Sequence, residues 1–318
     1  DSGLLLGYGA HTFLCGDTIL KHGNDEQRKK YLPGLASGKL VGCMGLTEPG
    51  AGSDAASFRT RAVRDPGSAQ GRAAEPGGGR GDDWILNGSK TFITNGPIAD
   101  VALVYAVTNP AHGGMGISAF ILEKGMPGFT AGAPLHKICV RSSQTSELFF
   151  DSVRVPAANM VGQEGHGFIM ALGTVEWDRS ALLAPWIGGT RKALRDSSRY
   201  ATERKQFGRP IGKFQAIQHK LADMRIFLEA ARLLVYRVAW NKDQGKPLNH
   251  MEAAVAKLYM GEQGVVAASD AVQIFGGYGL MDEYPVERFF RDSKLAAIGG
   301  GTSEIQRMII SRALLSAQ

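Results

Sequence analysis

The sequence lacks an apolar run long enough to cross a bilayer, and it lacks a signal-peptide pattern, so we expect a protein that is neither membrane-spanning nor secreted. Cysteine is scarce: Cys15, Cys43 and Cys139 lie far apart without a CxxC pair, which argues against a disulfide framework or a zinc ribbon. The seven histidines form no HExxH motif, so we expect no metal site. The thiols are predicted to be buried in a reducing compartment.

The sequence also lacks a strong excess of one sign of charge. The 318 residues include 36 Lys and Arg against 30 Asp and Glu, a net charge of +6. Basic residues alternate with acidic ones, as in 25–30 (DEQRKK), which is typical of a solvated helix face. Because nucleic-acid binding needs a clustered basic stripe, we expect neither a nucleic-acid nor a membrane partner.

Hydrophobic periodicity divides the chain into three predicted domains. Residues 1–42 have a helical pattern, residues 43–158 have short strand-like runs separated by turn signals, and residues 159–318 return to a helical period. In the first segment, Asp25 is expected to begin a helix that Pro33 ends. The expected fold class is α+β, in the order helices, sheet, helices.

Residues 64–83 differ in composition from the rest of the middle segment. They consist mainly of Gly, Pro, Ala and charged residues, with no apolar anchor. Such a stretch cannot bury enough surface to offset its ordering entropy. We therefore predict a flexible insert within a β-hairpin.

Two glycine-rich stretches are candidate ligand loops. Residues 46–54 (LTEPGAGSD) follow a predicted strand, and their N–H groups with the hydroxyls of Thr47 and Ser53 suit a phosphate or a ring edge of alternating nitrogens and carbonyls; a plain β-turn is the alternative. Residues 299–306 (GGGTSEIQ) place three glycines before a helix start capped by Thr302 or Ser303. A helix start of this kind presents N–H groups and a positive dipole end to a ligand.

Together with three further stretches, these loops resemble the signature motifs of the acyl-CoA dehydrogenase family. The further stretches are 87–96 (NGSKTFITNG), 200–210 (YATERKQFGRP) and 273–279 (QIFGGYG). The resemblance runs in order from about Gly38 to the C-terminus. It implies the end of a helical N-terminal domain, with upstream helices missing from this sequence, a middle β-barrel or sandwich domain, and a C-terminal four-helix bundle.

The resemblance also implies FAD as the cofactor. Phe92 matches the aromatic that lies against the flavin ring, and Ile93 and Thr94 match its N5 edge. The segments around Arg204 and Gln273 match those that contact FAD across a subunit interface. The implied FAD-binding residues are Met44, Leu46, Thr47, Gly52, Ser53, Phe92, Ile93, Thr94, Arg204, Gln206, Phe207, Gln215, Gln273, Gly276, Gly277, Thr302 and Glu304.

The position of the catalytic base departs from the commonest family pattern. Many members have a glutamate where this chain has Gly300, but a subset that includes isovaleryl- and long-chain-type members carries the base on another helix, just before an arginine. Counting back without a gap from Glu203-Arg204 aligns Arg179 with that arginine, which makes Asp178 the predicted base. Glu176 is the alternative base because its side chain is longer. Both carboxylates could instead be surface or capping groups.

The rest of the implied site binds the thioester. The backbone N–H of Gly300 and a ribityl hydroxyl of the flavin would hold its carbonyl, as in an oxyanion hole. Ser53, Glu176, Arg179 and Gly301 would line the route to it.

The implied activity is FAD-dependent α,β-dehydrogenation of an acyl thioester, carried on CoA or on an acyl-carrier protein, to the trans-2-enoyl product. The implied partners are an electron-transfer flavoprotein and further copies of the chain, as a tetramer or alternatively a dimer, in the bacterial cytoplasm or the mitochondrial matrix. Two alternatives remain at this point: an O₂-using flavin oxidase or hydroxylase of the same fold, and a catalytically silent, flavin-bearing protein that binds DNA.

Overall fold

The computed structural model describes residues 1–65, 83–247 and 249–316, and it groups the chain into two compact units. The sheet unit comprises Leu6–His136 and Ser142–Val175, and the helical unit comprises Asp1–Leu5, Lys137–Arg141 and Glu176–Gln318. The division into domains 1–42, 43–158 and 159–318 stays a prediction. The predicted insert at 64–83 falls almost wholly on residues 66–82, which lie outside the described residues.

The chain begins with short helices. They are α1 (Ser2–Gly9), a π-helical turn (Ala10–Gly16), α2 (Asp17–His22) and α3 (Asp25–Ala36). Asn24 and Gln27 form a capping box at the start of α3, where the sequence predicts a helix start. The prediction that Pro33 ends this helix is wrong, because α3 continues through Pro33 to Ala36. Burial of Tyr31 and Leu35 in the core of the sheet unit stabilises the last turn beyond what local propensity indicates.

One sheet forms the centre of the sheet unit. Its order is β6–β7–β3–β2–β4–β5–β8, and β1 pairs with β4 in parallel. The strands are β1 (Gly42–Gly45), β2 (Arg61–Arg64), β3 (Trp84–Thr94), β4 (Val101–Val107), β5 (Ile117–Glu123), β6 (Phe129–Ala131), β7 (Thr145–Val155) and β8 (Met160–Val161).

Strand β4 is apolar at every position because both of its faces are buried. Val101, Leu103 and Tyr105 belong to a core cluster that also contains residues of α2 and α3. The intervening Ala102 and Val104 belong to a second cluster on the opposite face, with Trp84 and Phe120. The period of two along the strand therefore places the sheet between two cores.

Long helices build the helical unit. They are α5 (Ala184–Glu203), α6 (Gln215–Asp243), α7 (His250–Phe275), α8 (Val286–Ser293) and α9 (Ser303–Ser316), with a short hairpin of β9 (Lys205–Gln206) and β10 (Arg209–Pro210) after α5. Helix α4 (Gly167–Ala181) changes unit after Val175. Helix α7 packs against α5, α6, α8 and α9, and its Gly261 allows close approach of the 3₁₀ turn Lys294–Ala297 that follows α8. None of the helices within the described ranges combines the length and hydropathy needed to cross a membrane.

Candidate active site

A buried ion pair anchors the first glycine-rich loop, residues 46–54, to strand β3. Lys90 is fully buried, and its Nζ lies 2.8 Å from Glu48 Oε1 and 3.1 Å from the carbonyl oxygen of Leu46. The Thr91 N–H donates to the Thr47 carbonyl at 2.9 Å. Glu48 exchanges two backbone hydrogen bonds of 3.1 Å with Ala51, which closes the turn. The loop is therefore held on its inner side, while Gly52 and Ser53 remain exposed.

Lys90 and Glu48 each alter the other's ionisation. Burial lowers the pKa of Lys90 to about 8, although the carboxylate of Glu48 opposes the change. Burial alone would raise the pKa of Glu48, but attraction to Lys90 and hydrogen bonds from Thr60 and Arg59 leave it below its ordinary value. Both groups are charged at neutral pH, so the loop rests on a buried cation and anion.

Phe92 lies at an irregularity of strand β3 and has a backbone conformation that is unusual for a strand. Its φ is 58°, in the left-handed region, and the β3–β7 register shifts between Lys90 and Ile93. Its side chain is 69% exposed, whereas the neighbouring Ile93 is 3% exposed. A bulky residue in this region costs on the order of 1–2 kcal/mol, and such strain clusters at binding sites. The bulge therefore presents an aromatic ring outward from the sheet.

The predicted FAD residues of the sheet unit gather on β1, on the following loop and on the end of β3. Met44 and Leu46 are partly buried, Thr47 and Thr94 are partly exposed, and Gly52, Ser53 and Phe92 are exposed. The backbone hydrogen bond between Thr91 and Thr47 joins the loop to β3 directly beside Phe92, since Thr91 precedes Phe92 in the chain. The role of each residue stays a prediction.

In the helical unit, Arg204, Gln206, Phe207, Gly276 and Gly277 line one groove of about 650 Å³. The groove lies where the β9–β10 hairpin and the end of α7 meet, within this unit. Its remaining lining residues are mostly apolar: Tyr200, Ile211, Phe214, Ile217, Ile274, Phe275, Tyr278 and Met281. Gln215 and Gln273, predicted for the same site, are exposed at the start of α6 and the last turn of α7, outside this lining.

Aromatic contacts shape this groove. Tyr200 and Phe275 stack with their ring centroids 4.2 Å apart, and the guanidinium of Arg204 lies 5.6 Å from the ring of Tyr278. Phe207 is 95% exposed, at φ 52°, and contacts Phe214 edge-on at 6.0 Å. An open apolar groove with a guanidinium at its wall suits a ligand that combines an aromatic ring with phosphate.

The second glycine-rich stretch forms a left-handed turn before α9. Gly300 and Gly301 have φ of 69° and 95°, which other residues rarely adopt. The Arg179 Nε donates to the Gly300 carbonyl at 3.1 Å, and the Gln306 Nε2 donates to the Gly301 carbonyl at 3.0 Å. The buried Lys257 ammonium also donates to the Gly301 carbonyl. Two adjacent carbonyls are thus bound by side chains from three helices, while Gly300 itself is exposed.

The predicted cap of α9 is only partly as expected. The Thr302 hydroxyl lies 3.4 Å from the Ile305 N–H, a weak capping contact, and Ser303 is the first residue of the helix. Glu304 is exposed, and hydrogen bonds from its own backbone and from Thr302 lower its pKa. Neither Thr302 nor Glu304 lines the groove that Arg204 and Phe207 line.

The two predicted base candidates lie on helix α4. Asp178 directly precedes Arg179, and Glu176 lies two residues further back. Their side chains are outside the described part of the structure, so the choice between them stays a prediction. What the structure adds is that Arg179, 7% exposed, links this end of α4 to the Gly300 turn.

Sequence reasoning missed Lys257 and Gln306, which the structure places at the turn. A signal was present for Lys257: it lies in the otherwise small and apolar stripe of α7 with Ala253, Ala256 and Met260. A lysine at a core position must be paired or serve a binding role. Lys90 gave a similar signal on β3.

Models of one family match nearly the whole chain. The N-terminal domain of acyl-CoA dehydrogenases matches residues 1–39, the middle domain matches residues 43–153, and the C-terminal domain matches residues 165–315. The chain belongs to the acyl-CoA dehydrogenase family.

Curated relatives agree with this membership. The chain is 47% identical over 305 residues to an acyl-CoA dehydrogenase of Bacillus subtilis, covering 96% of this chain and 76% of that protein. It is 42% identical over 313 residues to a mitochondrial isovaleryl-CoA dehydrogenase of Oryza sativa, covering 98% and 73%. It is 38% identical over 314 residues to an L-prolyl-[peptidyl-carrier protein] dehydrogenase of Pseudomonas fluorescens, covering 99% and 79%.

Solved structures show the same fold. The butyryl-CoA dehydrogenase of Megasphaera elsdenii matches with a TM-score of 0.92 and 43% identity, over 99% of this chain and 78% of that one. A chain from a study of the electron transferring flavoprotein of Acidaminococcus fermentans matches with a TM-score of 0.89 and 45% identity, over 96% and 77%. The expected fold class, the enzyme class and FAD as the cofactor are confirmed.

Proposed function

We propose that this chain dehydrogenates an acyl thioester between its α- and β-carbons, with the Gly300 turn as the element that binds the thioester carbonyl. The observation that carries this proposal is the turn before α9, where exposed Gly300 has φ 69° and its carbonyl is bound by Arg179. A backbone N–H at such a point stabilises the charge that develops on the thioester oxygen as the α-proton leaves.

The α-proton needs a carboxylate base, and Gly300 has no side chain to supply one. We assign this role to Asp178, with Glu176 as the alternative. The support is positional: Asp178 is adjacent to Arg179 on α4, and the Arg179 guanidinium reaches the Gly300 carbonyl. A base on α4 and a carbonyl bound at the turn would keep the α-proton within reach of the base in a fixed geometry, which general-base catalysis requires.

The residues of each unit fit a flavin nucleotide. In the sheet unit, Phe92 offers an exposed ring beside Thr94 and the Thr47 loop. In the helical unit, Arg204 and Gln206 offer donors at the wall of an aromatic groove. FAD, when bound, supplies the hydride acceptor for the β-carbon. We propose the seventeen FAD-binding positions named from the sequence as its contacts, with those of the helical unit directed to the FAD of another copy of the chain.

The thioester carrier is CoA or a carrier protein. Similarity to butyryl-CoA and isovaleryl-CoA dehydrogenases supports a short or branched acyl-CoA, and similarity to an L-prolyl-[peptidyl-carrier protein] dehydrogenase supports a carrier-protein thioester. We further propose that an electron-transfer flavoprotein reoxidises the enzyme, that the working form is a homotetramer, and that it resides in the bacterial cytoplasm or the mitochondrial matrix. Relatives of both bacterial and mitochondrial origin are consistent with these locations.

Anaerobic loss of the flavin's visible absorbance tests the proposal. The FAD-loaded protein is mixed with straight, branched and cyclic acyl-CoAs and with acyl-carrier-protein thioesters. We expect at least one class to reduce the flavin, and the preferred thioester then identifies the carrier. A fully loaded protein that no thioester reduces would refute the dehydrogenase activity. Comparing reoxidation by O₂ with reoxidation by an electron-transfer flavoprotein then separates an oxidase from a dehydrogenase.

Two isosteric variants test the base. We expect Asp178→Asn to lower the rate of flavin reduction by at least about 10³-fold while thioester binding persists, because proton removal is lost. Glu176→Gln is the matched control and should stay within about threefold of the wild type. If Glu176→Gln alone abolishes reduction, the assignment of Asp178 is wrong.

A further inference from the structure

Lys257 is a buried cation that neither the fold nor the proposed reaction has so far required. It lies on α7 with 1% of its surface exposed, among Ala253, Ala256 and Met260. Within the described part of the chain it forms no ion pair with a carboxylate. Burial, followed by repulsion from Arg179, lowers its pKa to about 8. Attraction to Glu304 and Glu262 offsets this only in part, and a buried ammonium without a hydrogen-bonded carboxylate keeps a desolvation cost.

The contact made by Lys257 is with the glycine turn. Its Nζ donates to the Gly301 carbonyl, which also accepts from the Gln306 Nε2 at 3.0 Å. The preceding carbonyl, of Gly300, accepts from the Arg179 Nε at 3.1 Å. Donors from α4, α7 and α9 therefore converge on two consecutive peptide groups, both in a left-handed conformation that only glycine adopts easily.

Such convergence fixes the direction of the turn's N–H groups. In a trans peptide the carbonyl and the N–H point in opposite directions, so holding the Gly300 and Gly301 carbonyls fixes the planes of the two peptide groups that directly follow the Gly300 N–H. Glycines would otherwise be the most mobile residues here, and a loose donor stabilises charge poorly.

We infer that Lys257 is a positioning residue for the thioester. Its ammonium holds the Gly301 carbonyl, and it thereby keeps the Gly300–Gly301 turn fixed, so that the Gly300 N–H keeps the orientation in which it binds the thioester carbonyl. The inference rests on the proposed dehydrogenation. Lys257 acts through the turn and does not itself touch the substrate.

Substitution of Lys257 by Met distinguishes a role in orienting the turn from a purely structural role, which would lower stability instead. Lys257→Met keeps the length and the apolar stem of the side chain while it removes the charge, and replacing a buried ionic group by an apolar one is often neutral or stabilising. The Gly301 carbonyl retains Gln306 as a donor. Stability should therefore be kept, whereas polarisation of a bound thioester should be lost.

The experiment uses the FAD-loaded protein and a chromophoric arylacryloyl thioester of CoA, or of the carrier protein if that is preferred. The absorption of such a product analogue moves to longer wavelength when its carbonyl is polarised. For Lys257→Met we expect unchanged FAD content and thermal stability, a red shift reduced by more than about half, and a kcat lowered about 10–100-fold with KM within about threefold. Lys257→Arg, which keeps the charge, should recover at least about half of the red shift.

The matched control is Lys220→Met. Lys220 lies on α6 and is paired with Asp270 on α7, the helix that also carries Lys257. Its substitution therefore removes a lysine contact to α7 that is far from the turn. We expect the red shift and kcat of this variant to stay within about twofold of the wild type. Lys257→Met with a wild-type red shift and kcat overturns the inference, and so does loss of FAD or of folding in that variant. A wild-type protein that binds FAD but neither shifts nor oxidises any thioester overturns the proposed function, and this inference with it.

Discussion

Removal of Lys90 tests whether a buried ion pair holds the first glycine-rich loop, residues 46–54. Lys90→Met would leave the Glu48 carboxylate, 6% exposed, with backbone donors at Arg59 (2.7 Å) and Thr60 (3.0 Å) but without its cation. Breaking a buried pair by removing one partner costs about 3–5 kcal/mol. With a urea m-value of about 2 kcal/mol/M, a loss of about 4 kcal/mol lowers the unfolding midpoint by about 2 M.

The assay is urea denaturation of the FAD-free protein followed by tryptophan fluorescence, to which Trp84, 2% exposed at the start of the same strand, contributes. Lys30→Met is the matched control. It breaks another Lys–Glu pair of the sheet unit, Lys30–Glu123 at 2.6 Å, but those side chains are 56% and 37% exposed. An exposed pair contributes at most about 1 kcal/mol.

A double variant separates the pair from the packing of Lys90. Glu48→Gln in the Lys90→Met background removes the unpaired charge, so we expect a destabilisation smaller than the sum of the two single changes, with a coupling of about 2 kcal/mol. FAD affinity should fall in Lys90→Met, because Lys90 also donates to the Leu46 carbonyl in the loop. If Lys90→Met and Lys30→Met lower stability equally, the ion pair does not hold the loop and the reasoning fails.

Three further predictions concern other parts of the chain. Gly300→Ala should lower the free energy of unfolding by about 1 kcal/mol because φ is 69°, whereas Gly173→Ala, in a helix with open space at its Cβ, should not; thermal melting compares the two. Phe207→Ala should leave stability within about 0.5 kcal/mol because Phe207 is 95% exposed, yet FAD retention on gel filtration should fall. The stabilisation from Glu48, whose pKa is lowered in the folded protein mainly by Lys90, should be complete above its ordinary value of 4.5 and lost as the pH falls through the lowered pKa, so the destabilisation caused by Lys90→Met should be largest near neutral pH and should shrink in acid, as urea midpoints measured at several pH values would show.

Most of the fold can be predicted from the sequence, because burial of one or both faces of an element gives its apolar residues a regular spacing. Met224, Leu228, Ala231 and Val238 recur at helical spacing on α6, and each is buried. The continuous apolar run of β4 likewise reflects a strand buried on both faces. Local signals fail where tertiary contacts outweigh them, as at Pro33, where the burial of Leu35 keeps the helix intact.

The site was less predictable than the fold. Motif resemblance located the loops, but no local pattern indicates that Phe92 has a positive φ, since the β3–β7 register shift produces it. The contact of Lys257 with Gly301 joins residues 44 positions apart, so it depends on the packing of α7 against α9. The segment Lys137–Arg141 joins the helical unit through a bond of 2.6 Å from the Val140 N–H to Asp292, which sequence periodicity also cannot show.

In the proposed reaction, Gly300 leaves two catalytic tasks to different elements: the turn binds the thioester carbonyl, and α4 supplies the base. Main-chain N–H donation at the turn needs no side chain, and the left-handed φ of 69° there favours glycine. Proton removal can therefore come from α4, provided that α4 and the turn keep a fixed distance. In the proposed site the Arg179–Gly300 hydrogen bond supplies that constraint, because it ties the residue next to Asp178 to the turn whose Gly300 N–H is the proposed donor to the thioester. Under the proposed assignment, Asp178 and the turn form one geometric unit, and we expect a shift of about 1 Å at either end to lower the rate on the order of a hundredfold.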